Sequence, residues 1–198
     1  MLSRRDLLVI PLAFATLGIG AVRAGQSGTD AKSFIENLGA EAVEALTGPD
    51  LPQDERERRF SAMLNRYFDL PGIGKFVLGR YWRSASEAER QDFLRLFEDF
   101  IVKSYAARFA EYSGEQFRVL GVRNEGDYAT VQSLVIRPGA EDVRVDWRLR
   151  DADGLKIIDI MVEGVSMVIT QRADFASVIQ SRGGVAGLLD MLRQKTSS

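Results

Sequence analysis

Carboxylate pairs are the residues of this chain whose types and spacing come closest to catalytic chemistry. Asp151 and Asp153 lie in the segment Asp-Ala-Asp-Gly, a turn sequence in which aspartate is favoured because its side chain bonds to the backbone. Asp159 and Glu163 stand four residues apart on a predicted strand, which separates them by roughly 13 Å. Catalytic pairs in glycosidases lie about 5–9.5 Å apart, so we expect Asp159 and Glu163 to pair with neighbouring arginines rather than to catalyse hydrolysis.

Histidine and cysteine, on which many catalytic sites and zinc sites depend, are absent from the sequence. The 198 residues include no histidine and no cysteine, which excludes Ser-His-Asp and Cys-His relays and every zinc site built from imidazole or thiolate. Ser166 therefore has no histidine to activate it. No aspartate-rich loop has the spacing of a calcium-binding hand either. The sequence predicts a protein that is not an enzyme and that holds no metal and no cofactor.

Composition and net charge narrow the class of protein further. The chain is 45% hydrophobic and 27% charged, as in ordinary soluble globular proteins. Its formal net charge is −2, whereas a general nucleic-acid binder needs a basic surplus to neutralise phosphates. We therefore expect no nucleic-acid partner.

The first 24 residues predict a cleaved export signal. Arg4 and Arg5 precede the apolar run of residues 7–20, and small residues end the segment at Ala24. The run is shorter than the ~18–20 residues that a membrane span needs. Residues 3–8 resemble the twin-arginine export consensus, and a Sec signal with a chance arginine pair is the alternative. Residues 25–198 are predicted to form a single domain, monomeric and periplasmic.

The spacing of apolar residues predicts helices on both sides of a strand-rich middle. One helix carries six aromatic residues and is expected to cover the sheet, and serines at 84 and 86 with glutamates three residues on predict a cap at its start. The Pro71-Gly72 pair is expected to break a helix. The predicted helices span residues 31–46, 53–68, 73–82, 87–112, 171–181 and 185–195.

Between residues 117 and 163 the apolar period changes from 3.6 to 2, which predicts strands. The predicted strands are 117–122, 128–137, 143–150 and 155–163, joined by short turn sequences. Val145, Trp147 and Leu149 share one strand face, and Ile158 shares a face with Ile160 and Val162. The pattern is that of an α+β fold, a four-stranded antiparallel meander sheet packed against N-terminal and C-terminal helices.

The apolar residues of the aromatic helix and of the inward sheet face allow two interpretations. They either fill a core or line an apolar cavity of ~300–1,000 Å³, which is large enough for a lipophilic ligand. The alternation of residues is the same in both cases, so it leaves the choice open.

Several motifs, in this order and spacing, carry a resemblance to a known family. They are Tyr67-Phe-Asp69, Leu78-Gly-Arg-Tyr-Trp-Arg83, Val145-Asp-Trp-Arg-Leu-Arg150, Ile157-Ile-Asp-Ile-Met-Val-Glu-Gly-Val-Ser-Met167 and Gln171-Arg-Ala-Asp-Phe175. Over essentially all of residues 25–198 the chain resembles the MlaC family, also called the toluene-tolerance family, of periplasmic phospholipid-transport proteins.

The resemblance implies a carrier that moves phospholipid between an outer-membrane lipoprotein–porin complex and an inner-membrane ABC transporter complex. It also implies that the fold encloses an apolar lipid pocket, with bound phospholipid as cargo and the headgroup near solvent. Among the family signature residues, Asp159, Glu163, Ser166 and Arg172 are expected to form a polar network that fixes the last strand against the following helix. The expected lining residues are Phe97, Ile101, Tyr105, Val145, Trp147, Ile158, Ile160 and Val165.

Three other functions stay open at this stage. A family member of the same fold can carry a polycyclic hopanoid-like lipid instead of a phospholipid. A small enzyme with a cone-shaped α+β fold uses an Asp or a Tyr inside the cone, but here Asp146 is expected to point away from the face of Trp147. A non-catalytic interaction module would have a filled core.

Overall fold

The computed structural model describes residues 23–151 and 153–197. The predicted export signal lies outside the described residues, apart from Arg23 and Ala24 at the start of the first helix. The helices are α1 (Arg23–Leu46), α2 (Gln53–Tyr67), α3 (Leu70–Leu78), α4 (Tyr81–Ser84), α5 (Glu87–Tyr105), α6 (Met167–Ser181) and α7 (Val185–Thr196), with a 3₁₀ helix at Ala106–Glu111. The strands are β1 (Gln116–Glu125), β2 (Tyr128–Ile136), β3 (Val143–Asp151), β4 (Leu155–Val162) and β5 (Val165–Ser166).

Local capping explains where several helices begin. The Ser86 hydroxyl accepts a hydrogen bond from the Glu89 backbone N–H, and the Glu89 carboxylate accepts one from the Ser86 N–H, so the predicted cap at Ser86 is confirmed. The predicted break between the second and third helices is confirmed, since α2 ends at Tyr67 and α3 begins at Leu70, but Pro71 and Gly72 lie after the break. Both residues lie in the first turn of α3, where proline loses no helical hydrogen bond and the Asp69 carboxylate accepts from the Gly72 N–H at 2.9 Å.

The four predicted strands form an antiparallel meander, and β5 adds a short fifth strand in the order β1-β2-β3-β4-β5. The β4 edge has two different neighbours. Its C-terminal part pairs with β5, and its N-terminal part bridges Phe68 in parallel through Ile157, whose carbonyl accepts from the Asp69 N–H at 3.0 Å. The segment between α2 and α3 is thereby attached to the sheet.

Helices α1 and α2 cover the inner face of the sheet. The α1 residues Ile35 and Leu38 pack in one cluster with Val131, Leu149 and Ile157 of the sheet. The aromatic helix α5 was expected to provide this cover, and that prediction is wrong. Helix α1 supplies the cover because its small and aliphatic side chains let its backbone approach the strands closely: a Cβ added at Gly39 would lie 2.6 Å from the Phe117 ring.

The aromatic side chains of α5 instead form the core of a separate helical layer with α3, α6 and α7. Phe175 of α6 is fully buried, with its ring centroid 5.9 Å from that of Phe93, 6.1 Å from Phe97 and 6.0 Å from Phe100. A third, smaller cluster of Leu64, Leu70, Val102 and Ala106 joins the two layers. Within the described residues, no helix is long and apolar enough to cross a bilayer.

Candidate functional site

An apolar patch lies at one end of the inner sheet face, where four of the predicted lining residues meet. We define the sheet-end patch as Val145, Trp147, Ile160, Val162 and Val165. Trp147 lies directly opposite Ile160 on β4, Val145 opposite Val162, and Val162 opposite Val165 of β5. Because paired residues in an antiparallel sheet share a face, these five side chains project to the same side.

Trp147 is held in place by a polar contact and by an aromatic contact. Its indole Nε1–H donates to the hydroxyl of Ser133 at 2.9 Å, and that hydroxyl donates to the Val145 carbonyl at 2.7 Å. Ser133 is fully buried, so it satisfies the indole N–H without exposing it to water. The Phe117 ring packs edge-on against the indole, with centroids 6.1 Å apart.

The patch extends beyond the part of the sheet that the helices cover. Trp147 and Ile160 are half-buried and border the sheet cluster. In the part of the chain that the structure describes, no packed cluster contains Val145, Val162 or Val165. Val165 is 55% exposed. Val145 is itself buried, at 8% exposed, whereas Trp147, Ile160 and Val162 are half-buried. The apolar surface that stays accessible at this end of the inner face therefore belongs to Val165 and, in part, to those three residues.

A two-residue turn brings Val165 back onto the sheet. Glu163 and Gly164 have φ angles of 49° and 78°, and positive φ at both central residues is the mark of a type I′ hairpin turn. A glutamate is uncommon in this conformation. Here it is held at both ends by Arg144, whose carbonyl accepts from the Glu163 N–H at 3.0 Å and whose N–H donates to the Glu163 carboxylate.

The buried Asp159 connects β4 to the start of α6. Its carboxylate accepts a hydrogen bond from the Ser166 hydroxyl at 2.7 Å and from the Val168 N–H at 3.3 Å. The Ser166 hydroxyl in turn accepts from the Ile169 N–H at 3.2 Å and caps the helix. A carboxylate at a helix N-terminus is stabilised by the unpaired N–H groups and by the helix dipole.

The predicted polar network is therefore half right. Asp159 and Ser166 do fix β4 against α6, whereas Glu163 lies in the hairpin turn and not on the strand. Arg172 packs its guanidinium over the Phe76 ring of α3, 5.0 Å from the ring centroid. Neither Asp159 nor Glu163 forms an ion pair with an arginine among the described residues, because backbone and hydroxyl donors occupy both carboxylates.

Ile158 does not share a face with Ile160, which contradicts the prediction from alternation. The register of β3 and β4 shifts between Arg148 and Leu149, so that Arg148 pairs with Asp159 and Leu149 pairs with Ile157. Ile158 is the extra residue of this β-bulge. A bulge interrupts the alternation of side chains, so Ile158 has no partner on β3 and lies outside the row that Ile157 and Ile160 form opposite Leu149 and Trp147.

The three predicted lining residues of α5 lie in the helical layer. Phe97 is 2% exposed, is stacked on Phe93 and belongs to the helical core. Ile101 packs against both the helical core and the joining cluster. Tyr105 is 40% exposed at the end of α5, with the Arg108 guanidinium 5.8 Å from its ring centroid. The structure thus brings together Val145, Trp147, Ile160 and Val165, and places the other four elsewhere.

Sequence reasoning missed Ser133, Phe117 and Val162 as parts of this site. Val162 carried a visible signal, because it stands two residues after Ile160 on the same strand face. Ser133 and Phe117 gave none, because their contacts with Trp147 depend on pairing across three strands.

Two surface grooves are lined by other residues than those of the patch, although the first includes Phe117, which contacts Trp147. One runs between α1 and β1, beside Gly39, Val43 and Phe117, and the other lies between α5 and α7, beside Asp92 and Arg193. None of the eight predicted lining residues borders either groove. Among the described residues, no group of three or more acidic side chains is placed to hold a metal ion. What the sheet-end patch offers is non-covalent contact with apolar groups.

The comparisons with known proteins agree with this fold. The family model described as MlaC protein matches residues 36–194. A curated relative, the intermembrane phospholipid transport system binding protein MlaC of Haemophilus influenzae, is 25% identical over 137 residues, which cover 66% of this chain and 64% of the relative. The chain thus matches slightly less than two thirds of that relative's length.

A solved structure shows the same fold. The phospholipid-binding protein from Ralstonia solanacearum, determined in complex with a phospholipid, superposes with a TM-score of 0.76 over 85% of this chain and 97% of that chain. The two sequences are 23% identical. At this identity the match establishes the α+β architecture.

Proposed function

The chain belongs to the MlaC family, and from this we propose that it is a phospholipid carrier of an intermembrane transport system. In this proposal it is not an enzyme. It binds one phospholipid as cargo in the periplasm and exchanges it with an outer-membrane lipoprotein–porin complex and an inner-membrane ABC transporter complex. The names of the Haemophilus relative and of the Ralstonia structure support phospholipid as the ligand class.

The observation that carries the proposal is the partly exposed apolar end of the inner sheet face. Val165 is 55% exposed and Val162 is half-buried, and neither belongs to a packed cluster of the described residues, whereas the adjacent Val145 is 8% exposed. Exposed apolar surface of this kind marks binding sites in soluble proteins. Acyl chains that lie on the patch would bury it and would also gain about 0.8 kcal/mol per buried CH₂ group.

The chemistry of the patch suits a cargo that must be both bound and released. Apolar contacts are non-directional, so acyl chains of different length and unsaturation fit the same surface. The one polar group of the patch, the indole N–H of Trp147, is already satisfied by Ser133, so it makes no demand on the ligand. The headgroup needs no dedicated site in this arrangement and stays in water.

Two isoleucines of β4 provide a matched test. Ile160 lies in the patch, whereas Ile158 is the unpaired bulge residue of the same strand and does not belong to the patch; both are half-buried. We expect Ile160→Asn to reduce the uptake of a fluorescent phospholipid from vesicles by roughly tenfold or more, because it places an unpaired polar group against the acyl chains. Ile158→Asn should leave uptake unchanged.

Circular dichroism and urea unfolding would verify that both variants fold. Equal uptake by the two variants would overturn the assignment of the patch. Failure of the unmodified protein to take up any phospholipid would overturn the proposed function itself. Uptake of a polycyclic lipid in preference to phospholipid would keep the fold and the patch but replace the cargo.

A further inference from the structure

The outer face of the sheet is the side turned away from α1 and α2, and it concentrates positive charge on a chain whose net charge is −2. The register places it opposite the sheet-end patch. Its acidic residues are Glu125, Asp146 and Asp159. Its basic residues are Arg118, Arg123, Arg144, Arg148, Arg150 and Lys156.

The acidic residues of this face leave part of its positive charge free. Arg123 pairs with Glu125 at 3.1 Å and Arg144 with Asp146 at 3.0 Å. Arg150 pairs with Asp69 at 3.6 Å, and the Lys156 ammonium donates to the carbonyls of residues 65 and 66. Asp159 is buried and occupied by the N-terminus of α6. Within residues 23–151 and 153–197, Arg118 has no ion pair.

Arg148 is also without an ion pair in that range, and it has unused hydrogen-bonding capacity at the centre of the face. Its guanidinium lies 4.9 Å from the centroid of the Tyr128 ring. Its Nε and the hydroxyl of its strand neighbour Thr130 are the two buried side-chain polar atoms that lack a partner among the described residues. Both atoms are buried, so what this face offers to a partner is the positive charge of Arg148 and not these two atoms.

Exposed apolar side chains accompany the charges. The register shift between Val119 and Gly121 makes Leu120 the extra residue of a bulge and turns it to the outer face, where it is 57% exposed. Tyr128 is 36% exposed on the same face. Arginine, tyrosine and leucine side chains together suit a lipid headgroup layer, because long cationic side chains reach phosphates while apolar groups enter the interface.

We propose that the outer sheet face docks the protein on the surface of an anionic phospholipid bilayer. Arg118 and Arg148, which have no ion pair among the described residues, meet lipid phosphates, while Leu120 and Tyr128 contact the interfacial region. Docking by this face leaves the sheet-end patch uncovered, since the patch lies on the opposite side of the sheet. This surface is distinct from the cargo site, so the inference goes beyond the proposed function.

Vesicle co-sedimentation of the purified protein tests the proposal directly. The protein should bind vesicles that mix phosphatidylglycerol with phosphatidylcholine, should bind pure phosphatidylcholine vesicles weakly, and should be released by salt. Arg118→Gln should weaken binding about fivefold, which is about 1 kcal/mol for one basic residue near an anionic surface. Arg182→Gln removes the same charge from the turn after α6 and should leave binding unchanged.

A second pair of variants, at Arg148, tests whether lost binding is caused by the loss of charge or by misfolding. Arg148→Lys keeps the charge and should bind nearly as well as the unmodified protein, whereas Arg148→Gln should lose affinity as Arg118→Gln does. Equal loss in Arg118→Gln and Arg182→Gln would overturn the proposal, because net charge alone would then explain binding. Indifference to phosphatidylglycerol, or Arg118-dependent binding to an acidic protein in place of vesicles, would overturn it as well.

The amount of phospholipid bound per protein, measured by mass on the same samples, separates this inference from the proposed function. Arg118→Gln should keep its cargo while losing vesicle binding. A protein that carries cargo but ignores anionic vesicles contradicts only the docking proposal. A protein that binds the vesicles but never carries lipid contradicts only the proposed function as a phospholipid carrier.

Discussion

Replacing Asp159 by asparagine should detach the start of α6 from the sheet. The Asp159 carboxylate accepts two hydrogen bonds, from the Ser166 hydroxyl at 2.7 Å and from the Val168 N–H at 3.3 Å. Asparagine has one accepting oxygen and no charge, so at least one of these bonds loses its acceptor. The favourable interaction of the charge with the helix N-terminus is lost as well.

The size of the effect follows from these contacts. Hydrogen bonds to charged groups contribute about 1.5–3 kcal/mol each, and here the shorter of the two is the stronger. We therefore expect Asp159→Asn to lower the free energy of unfolding by about 2 kcal/mol. For a protein of this size that corresponds to a fall in Tm of about 4–8 °C.

Urea unfolding followed by circular dichroism measures the change. Asp174→Asn is the matched control, since it makes the same chemical change at an exposed position of the same helix. Its effect should stay within about 0.5 kcal/mol. Equal destabilisation by the two variants would refute the capping role of Asp159.

A double-mutant cycle with Ser166→Ala adds a sharper criterion. Asp159 and Ser166 share a hydrogen bond, so their effects should not be additive, and the double variant should lose less than the sum of the two single variants. Additive losses would mean that the two side chains stabilise the protein independently, contrary to the geometry.

Three further predictions follow from other contacts. Phe175→Ala should destabilise the protein by about 3–5 kcal/mol, because three aromatic rings of α5 pack on this side chain; thermal unfolding measures the loss. Burial, and then the hydrogen bond that its hydroxyl donates to Glu41, raise the pKa of Tyr67 above its usual 10. The contact therefore contributes stability that is fully present below pH ~10 and is lost as the pH rises through the raised pKa. Urea unfolding at a series of alkaline pH values measures this loss. The two tryptophans lie in different layers, so phospholipid loading should change the fluorescence of Trp147 in the Trp82→Phe variant and leave that of Trp82 unchanged in Trp147→Phe.

Each of these has its own control. Phe76→Ala removes an aromatic ring that is 44% exposed and should cost far less than Phe175→Ala. Tyr67→Phe should remove its part of the alkaline loss of stability, and an identical alkaline profile in that variant would contradict the assignment to Tyr67. A lipid-induced change in Trp82 without one in Trp147 would place the ligand in the helical layer.

The order of elements and the antiparallel meander were predictable from the sequence, because helix and strand periods differ and the turns carry glycine, proline or aspartate. The Asp151 turn is an example: its carboxylate accepts from the Gly154 N–H at 3.2 Å, the structural role expected of it. The choice of the helix that covers the sheet was not predictable. Both α1 and α5 have an apolar face, and the aromatic rings of α5 pack against Phe175 of α6 and not against the strands.

Which residues form the candidate site was predictable only in part, because a residue's strand face depends on the strand register. Val145 and Trp147 were placed correctly because β3 is regular, whereas Ile158 was misplaced because one extra residue in β4 reverses every position that precedes it on the strand. No residue type marks this bulge. It is visible only in the pairing of β4 with β3.

Native mass spectrometry of the protein, purified without detergent, is the most direct test of the central claim that this chain carries a phospholipid. We expect a mass excess equal to one phospholipid, which is lost on denaturation and is strongly reduced in Ile160→Asn but not in Ile158→Asn. A mass equal to that of the polypeptide alone, with no uptake after incubation with mixed phospholipid vesicles, would contradict it.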